Sequence, residues 1–267
     1  MNLALFAHTW RANRARVLLV AVALAIWSSF LPIIYDSFGS TFQDIFASGV
    51  LPPQFAQFGG GDIFSLSGSV GIGFIHPIAV GLNLIFAVGF TTAAIAGERQ
   101  RGTLEVLLSR PISRRVVYAT LALSGALFVG IATLGSILGS LIGASLTGRT
   151  AELGVGQLPL LWLNGALLYW AIGSVALLAS ASSDRLSPAL GLSIAFVLVS
   201  YFLDVLGSLW PDAKGLQPYS VFFYLDPKAI LTGLPDLGDL VVLATVTLVA
   251  VMTALFVFPR RDLAAPS

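Results

Sequence analysis

No cysteine occurs in this sequence, which excludes disulfides, iron–sulfur clusters and thiolate zinc sites at the outset. Histidine appears twice, and without cysteine the pair is too sparse for a zinc site. The two lysines are Lys214, followed by Gly215, and Lys228, followed by Ala229. A P-loop needs lysine followed directly by Ser or Thr, so the chain cannot bind ATP by that route. No Gly-x-Ser-x-Gly elbow is present, and no histidine lies in the interior of a span to activate a serine, which disfavours an intramembrane hydrolase. Charge is scarce as well: Asp, Glu, Lys and Arg make up 10% of residues, against about 25% in soluble domains.

What the chain has instead is apolar length. Apolar residues make up 57% and mean hydropathy is +0.91, so the main solvent must be lipid. The net charge of +1 says nothing about nucleic acid, but no basic face spans enough surface to track a phosphate backbone, so no nucleic acid is expected as a partner. The apolar runs are unbroken and do not alternate, which predicts spanning helices and not outer-membrane strands. Six runs qualify, at 17–35, 73–96, 116–146, 158–181, 188–209 and 240–258. They predict an all-α membrane protein with six transmembrane helices in a single transmembrane domain, 1–267. The third run exceeds what a bilayer requires, so it tilts or extends beyond the lipid. The first run is too long for a signal core and no small-x-small site closes it, so cleavage is not expected.

The arginines give an orientation. With the N-terminus inside, the cytoplasmic segments hold Arg11, Arg14 and Arg16, then Arg99, Arg101, Arg110, Arg114 and Arg115, then Arg185, then Arg260 and Arg261. Only Arg149, Lys214 and Lys228 remain outside. The positive-inside rule therefore places both termini in the cytoplasm. Residues 1–16 read as a separate amphipathic interfacial helix, because Leu3, Phe6 and Trp10 recur at helical spacing with Arg11 and Arg14 to the side. The outer segments 36–72 and 210–239 are too apolar for solvated linkers. They read as short helices at or dipping into the outer interface, or as irregular loops packed on the bundle.

Residues 97–115, GERQRGTLEVLLSRPISRR, hold five of the fourteen basic residues between two apolar runs. Gly102 is expected to end the extension of the second run, and Thr103 to cap a new short helix. Residues 104–108 then form about one and a half turns with Leu104, Leu107 and Leu108 on one side and Glu105 elsewhere. Pro111 stops that helix and biases Arg110 towards an extended conformation. Ser113 can cap the third run. Arg114 and Arg115 oppose its N-terminal dipole, so anchoring at the inner face or a protein partner must explain them. On spacing alone the segment is either a lever that a soluble subunit pushes or an ordinary positive-inside loop.

Glu98, then Gly102-Thr103-Leu104-Glu105, then Leu107-Leu108-Ser109-Arg110-Pro111-Ile112-Ser113-Arg114-Arg115, resembles the hallmark loop of ABC-2 type permeases, which also lies between spans two and three. The six-span layout and Tyr224, Asp226 and Pro227 (Tyr-x-Asp-Pro) in the last outer segment are similar to that family too. The resemblance implies a cytoplasmic coupling helix at 103–109, with Glu98, Gly102, Thr103, Leu104, Glu105, Leu107, Leu108, Arg110 and Pro111 at an ATPase-coupling site. It implies a second cytoplasmic contact at 182–187, with Asp184 and Arg185, and re-entrant outer helices between spans five and six, with Tyr224, Asp226 and Pro227 at an outer gate. It implies an ABC ATP-binding subunit carrying ATP and Mg, and a second permease copy or homologue. No cofactor or metal is expected on this chain itself.

Glu98 is expected either to pair with Arg11 or Arg14, tying the N-terminal helix to the lever, or to be a solvated acid beside Arg99 and Arg101. Gly135, Gly139 and Gly143, flanked by Ser136, Ser140 and Ala144, make a groove for close helix approach, as static packing or as a sliding surface. The glycines at 73, 81, 89 and 97 spiral around the second run and share no face. Asp204 and His76 lie near the outer interface and read as structural or gate-lining. The leading expectation is the membrane subunit of an ATP-driven exporter in a prokaryotic cytoplasmic membrane, not an enzyme by itself, moving an amphiphilic or lipophilic substrate because the runs offer few polar groups. The alternative is a stand-alone channel or secondary transporter, for which no charged midplane element is visible.

Overall fold

The computed structural model describes residues 1–49 and 65–261. Among these residues every regular element is helical, and six helices are long and apolar enough to cross a membrane. The six, in order, are Leu3–Thr41, Pro77–Gln100, Arg114–Leu146, Val155–Ser182, Leu186–Leu209 and Leu237–Arg260. All-helical spanning follows from the need to satisfy backbone polar groups internally in lipid.

The first span belongs to α1 (Leu3–Ala47), 45 residues and about 68 Å long. The separate interfacial helix expected at 1–16 is therefore not separate; one helix runs through. Its inward stripe is Leu5, Thr9, Val17, Val20, Leu24, Ser28 and Leu31, at helical spacing. Leu3 is exposed, and the half-buried Trp10 turns its ring towards Phe128, 6.0 Å between centroids.

α6 (Arg114–Leu146) lies parallel to α1 along its whole length. The glycine stripe makes this possible. A Cβ at Gly135 or Gly139 would sit 2.1 Å from the carbonyl oxygen of Ala21 or Ala25, and at Gly143 2.3 Å from that of Ser29. Each α1 backbone turn rests where a side chain would be, so the groove is filled within the chain. The pair is closed at one end by Asn2 N–H donating to Thr120 Oγ1 at 2.9 Å. At the other end Arg149 bonds Asp36 at 2.6 Å and lies over the Tyr35 ring, and the Asp36 bond holds its guanidinium pKa above the ordinary value.

The second span starts four residues later than its hydropathy suggests. α2 (Leu66–Ile75) is a separate helix, started by Ser65 accepting from Gly68 N–H at 3.1 Å and buried against α1. Pro77 holds His76 extended (φ −59°, ψ 142°) and breaks the chain there. Residues 50–64 of the first outer segment lie outside the described residues. From Pro77 the chain runs through α3 (Pro77–Leu84), two π-helical stretches (Ile85–Phe90 and Ala93–Gly97) and α4 (Glu98–Gln100). α5 (Thr103–Leu108) comes next, before α6.

α7 (Leu158–Ser182) completes the buried core with α1, the second span and α6. α8 (Leu186–Leu209) and α10 (Leu237–Val257) lie at the periphery and keep long apolar faces exposed. Between them come two 3₁₀ segments and the single-turn α9 (Pro227–Leu231). These fold back on the bundle as short turns and not as a pair of regular helices. Gln217 Nε2 donates to Ser208 Oγ at 3.1 Å, and Asn164 Nδ2 of α7 donates to the Tyr224 carbonyl at 3.1 Å.

Candidate functional site

The residues singled out from the sequence fall at two ends of the bundle. At the end holding residue 2 and residue 261, the second span delivers the 97–115 segment. Gly102 adopts φ +74° and donates its N–H to the Arg99 carbonyl at 3.0 Å, ending α4 and starting α5 in a new direction. Thr103 is the first residue of α5 and not its cap. Its hydroxyl reaches back to the Glu98 carboxylate and lies 3.1 Å from the Glu98 carbonyl. That carboxylate also takes the Arg101 guanidinium. Glu98 therefore braces the turn beneath its own span, and the expected pairs with Arg11 or Arg14 do not form; both arginines are exposed. Between Glu98 and α1 lies a cleft of about 490 Å³, bordered by His8, Asn13, Phe90, Leu107 and Arg110.

The leucine side of α5 faces inward. Leu104 is 1% exposed, packed in a second core with Ile95, Val117, Tyr118, Leu121 and Leu177, and Leu107 and Leu108 are half-buried against it. The leucine side, which the resemblance placed at an ATPase-coupling site, is thus turned into the bundle. These side chains root α5 in the bundle, because burying them there removes them from water at no cost in exposed backbone. The outward face is Glu105, Val106, Ser109 and Arg110, with Val106 66% exposed. In the sequence Val106 stands between Glu105 and Leu107, and nothing marks it out. Exposed Pro111 comes after it, and Ser113 caps α6 by accepting from Val116 N–H at 3.3 Å. Arg114 donates to the carbonyls of Pro259 and Arg261, at 3.3 and 2.8 Å, tying α6 to the end of the last span.

The 182–187 turn is bound up with the same end. Asp184 takes Arg99 at 2.6 Å and also Arg261. Leu186 N–H donates to Gln100 Oε1 at 2.8 Å. Asp184 is thus committed within the chain, joining the second span, the α7–α8 turn and the residues after α10, while Arg185 is exposed. Deeper, Ser180 of α7 donates to the Thr92 carbonyl at 2.8 Å and accepts from Ala96 N–H at 2.9 Å. The spans offered several serines and threonines, and nothing in the sequence distinguished this one.

At the far end Asp226 caps α9, accepting from Ala229 N–H at 2.9 Å, with Pro227 as its first residue. Tyr224 Oη donates to the Pro218 carbonyl at 2.7 Å. A Cβ on Gly71 of α2 would lie 3.5 Å from Pro227, so α2 and α9 pack closely there. The three residues are brought together as a folded corner over α7. Among the described residues no His, Asp and Glu cluster could hold a metal ion. A family model described as ABC-2 family transporter protein matches residues 6–263. No curated protein matches the chain.

Proposed function

The chain belongs to the ABC-2 family of transporter proteins, and from that membership we propose that it is the membrane-spanning permease subunit of an ATP-driven exporter. A separate ATP-binding subunit, carrying ATP and Mg, supplies the energy. The observation that carries the reading is the posture of α5. A six-residue helix is rooted by Leu104 and Glu98, while Glu105 and Val106 on it, and Ser109 and Arg110 just after it, are exposed. Force applied to those residues passes through Leu104 to Val117 and Tyr118 of α6 and Leu177 of α7, and through the Glu98–Thr103 contact to the second span. Stiff helices then carry it across the membrane as hinge-type coupling.

The arginine-rich end faces the cytoplasm of a prokaryotic cell in this reading. A second copy or homologue completes the pathway, and the folded corner at 210–239 serves as the outer gate. The substrate is amphiphilic or lipophilic, since the buried polar groups of the spans are mostly serine, threonine and asparagine. The test is a pair of substitutions on α5. Val106→Asp should leave a monodisperse chain that fails to retain an ATP-binding subunit, with affinity reduced about tenfold or more, as when one interface anchor is lost. Leu104→Asp should instead lower yield and thermal stability. A Val106→Asp chain that keeps a stoichiometric ATPase, or a wild-type chain that transports when reconstituted alone, ends the proposal.

A further inference from the structure

Among the described residues, π-helical turns occur in the second span alone, at Ile85–Phe90 and Ala93–Gly97. Such turns usually have a local cause or a functional role. The first is accompanied by two threonine hydroxyls. Thr91 donates to the Ala87 carbonyl and Thr92 to that of Val88, each at 2.7 Å. The second has a partner from another span. Thr92 C=O and Ala96 N–H, four residues apart, are the pair an α-turn would bond to each other. The Ser180 hydroxyl bonds both of them. Ser180, Thr92 and Ala96 are all fully buried. Two residues after Ala96, Glu98 N–H reaches the carbonyl of Ala93, five residues back, which is the π spacing.

Removing that hydroxyl leaves two alternatives. Two buried backbone groups stay unpaired, or they bond each other and the turn rewinds as α-helix. Rewinding shifts the register by one residue and turns everything beyond Ala96 by about 100° around the span axis. Glu98, Gly102 and α5 all lie beyond that point. Four residues after Ser180, in the turn that follows α7, Asp184 holds Arg99 near the end of the second span. α7 and the turn after it therefore grip this end of the second span at two points, one on the backbone and one on a side chain.

We infer that Ser180 is a positioning residue for coupling: its hydroxyl holds the wide turn of the second span open and so sets the rotational phase at which α5 is presented. The inference rests on the reading of α5 as the coupling helix, and its first test does not depend on that reading. The absence of native cysteine allows spin labels at Ile78→Cys and Val106→Cys, both exposed, on the full chain in lipid nanodiscs. The distance distribution between them reports the phase of α5 relative to the start of the span. Ser180→Ala shifts the distance peak, and Ser180→Thr, which keeps the hydroxyl, restores it. Should Ser180→Ala fail to fold, Ser180→Val against Ser180→Thr makes the comparison, since those two differ only in hydroxyl against methyl. Identical peaks for Ser180→Val and Ser180→Thr, or for Ser180→Ala and the parent, overturn the inference.

The second test moves the inner label off the α5 face, to Leu3→Cys, 70% exposed at the same end, and uses that labelled chain purified with its ATP-binding subunit. Ser180→Ala retains the subunit and its ATP turnover, while the distance change on trapping ATP with vanadate is lost; Ser180→Thr recovers that change. A Ser180→Ala complex that responds to nucleotide as the parent does overturns the role in coupling. If the parent chain recruits no ATP-binding subunit at all, the proposed function fails, and the nanodisc distances still decide whether Ser180 sets the phase.

Discussion

At Gly139 the difference between hydrogen and methyl decides whether two helices can touch. A Cβ there would lie 2.1 Å from a carbonyl oxygen of α1, and backbone cannot move aside as a side-chain tip can. Gly139→Ala is expected to destabilise the chain by about 1–3 kcal/mol or more, seen as a fall of the thermal midpoint in detergent. Gly81→Ala is the control. Nothing lies within 4 Å of that Cβ, so the midpoint should stay level or rise, as alanine favours helix. Gly102 differs from both: its surroundings are open but its φ is +74°. Gly102→Ala should cost about 1–2 kcal/mol through backbone strain alone, and Gly102→Asn less, because asparagine tolerates that region. The spacing of Gly135, Gly139 and Gly143 makes the α1 groove legible in the sequence, since residues four apart share a helix face whatever packs there. The direction of Leu104 is not legible. A helix of six residues has a leucine side, but whether that side meets its own bundle or a partner is set by Ile95, Tyr118 and Leu177, most of them distant in sequence.

Elements are legible where backbone and solvent boundaries coincide, and misleading where they do not. Arg11, Arg14 and Arg16 mark where lipid ends, and a helix break is the natural expectation there. RANRARV contains neither glycine nor proline, so the backbone has no reason to stop, and α1 continues. At His76-Pro77 the reverse holds: hydropathy is continuous, and the break comes from the proline. The wide turns of the second span are invisible in sequence because the hydroxyl that bonds one of them comes from a residue 84 positions later. The 182–187 turn has the composition of a surface contact, yet Asp184 joins three elements. Its side chain is 56% exposed while that of Arg99 is only 8% exposed, so solvent screens part of the attraction. Asp184→Ala is therefore expected to lower stability by about 1–2 kcal/mol and not more. Arg261→Ala should cost less in the Asp184→Ala background than in the parent, because the two residues act as one contact. Equal costs in both backgrounds, read from thermal midpoints, would show that the C-terminal arginine is held by its other bond, to the Ala181 carbonyl, and not by Asp184.

Across the whole molecule, burial is uneven in a way that assigns surroundings. The apolar windows of the third and fourth spans are 61% buried, while those of the fifth and sixth are 22% and 17% buried. Leu198, Phe202, Leu248 and Met252 thus belong against lipid or another apolar surface, since water would make such a face a liability for aggregation. Both described ends of the chain sit with α5 at the end where the arginines cluster, and Arg114, Arg99 and Arg261 are knitted together there. Crossing a membrane the other way would require translocating those guanidiniums and the exposed Arg11, Arg14 and Arg16. The native chain offers no thiol, so single cysteines read the topology without background. Leu3 and Val106 are 70% and 66% exposed at the arginine-rich end, and Tyr219 and Leu234 are each 78% exposed at the other. In intact cells a membrane-impermeant maleimide should label Tyr219→Cys and Leu234→Cys but not Leu3→Cys or Val106→Cys, and after lysis it should label all four. Labelling of Val106→Cys in intact cells would place α5 outside, beyond the reach of any ATP-binding partner, and would invert the proposed direction of force.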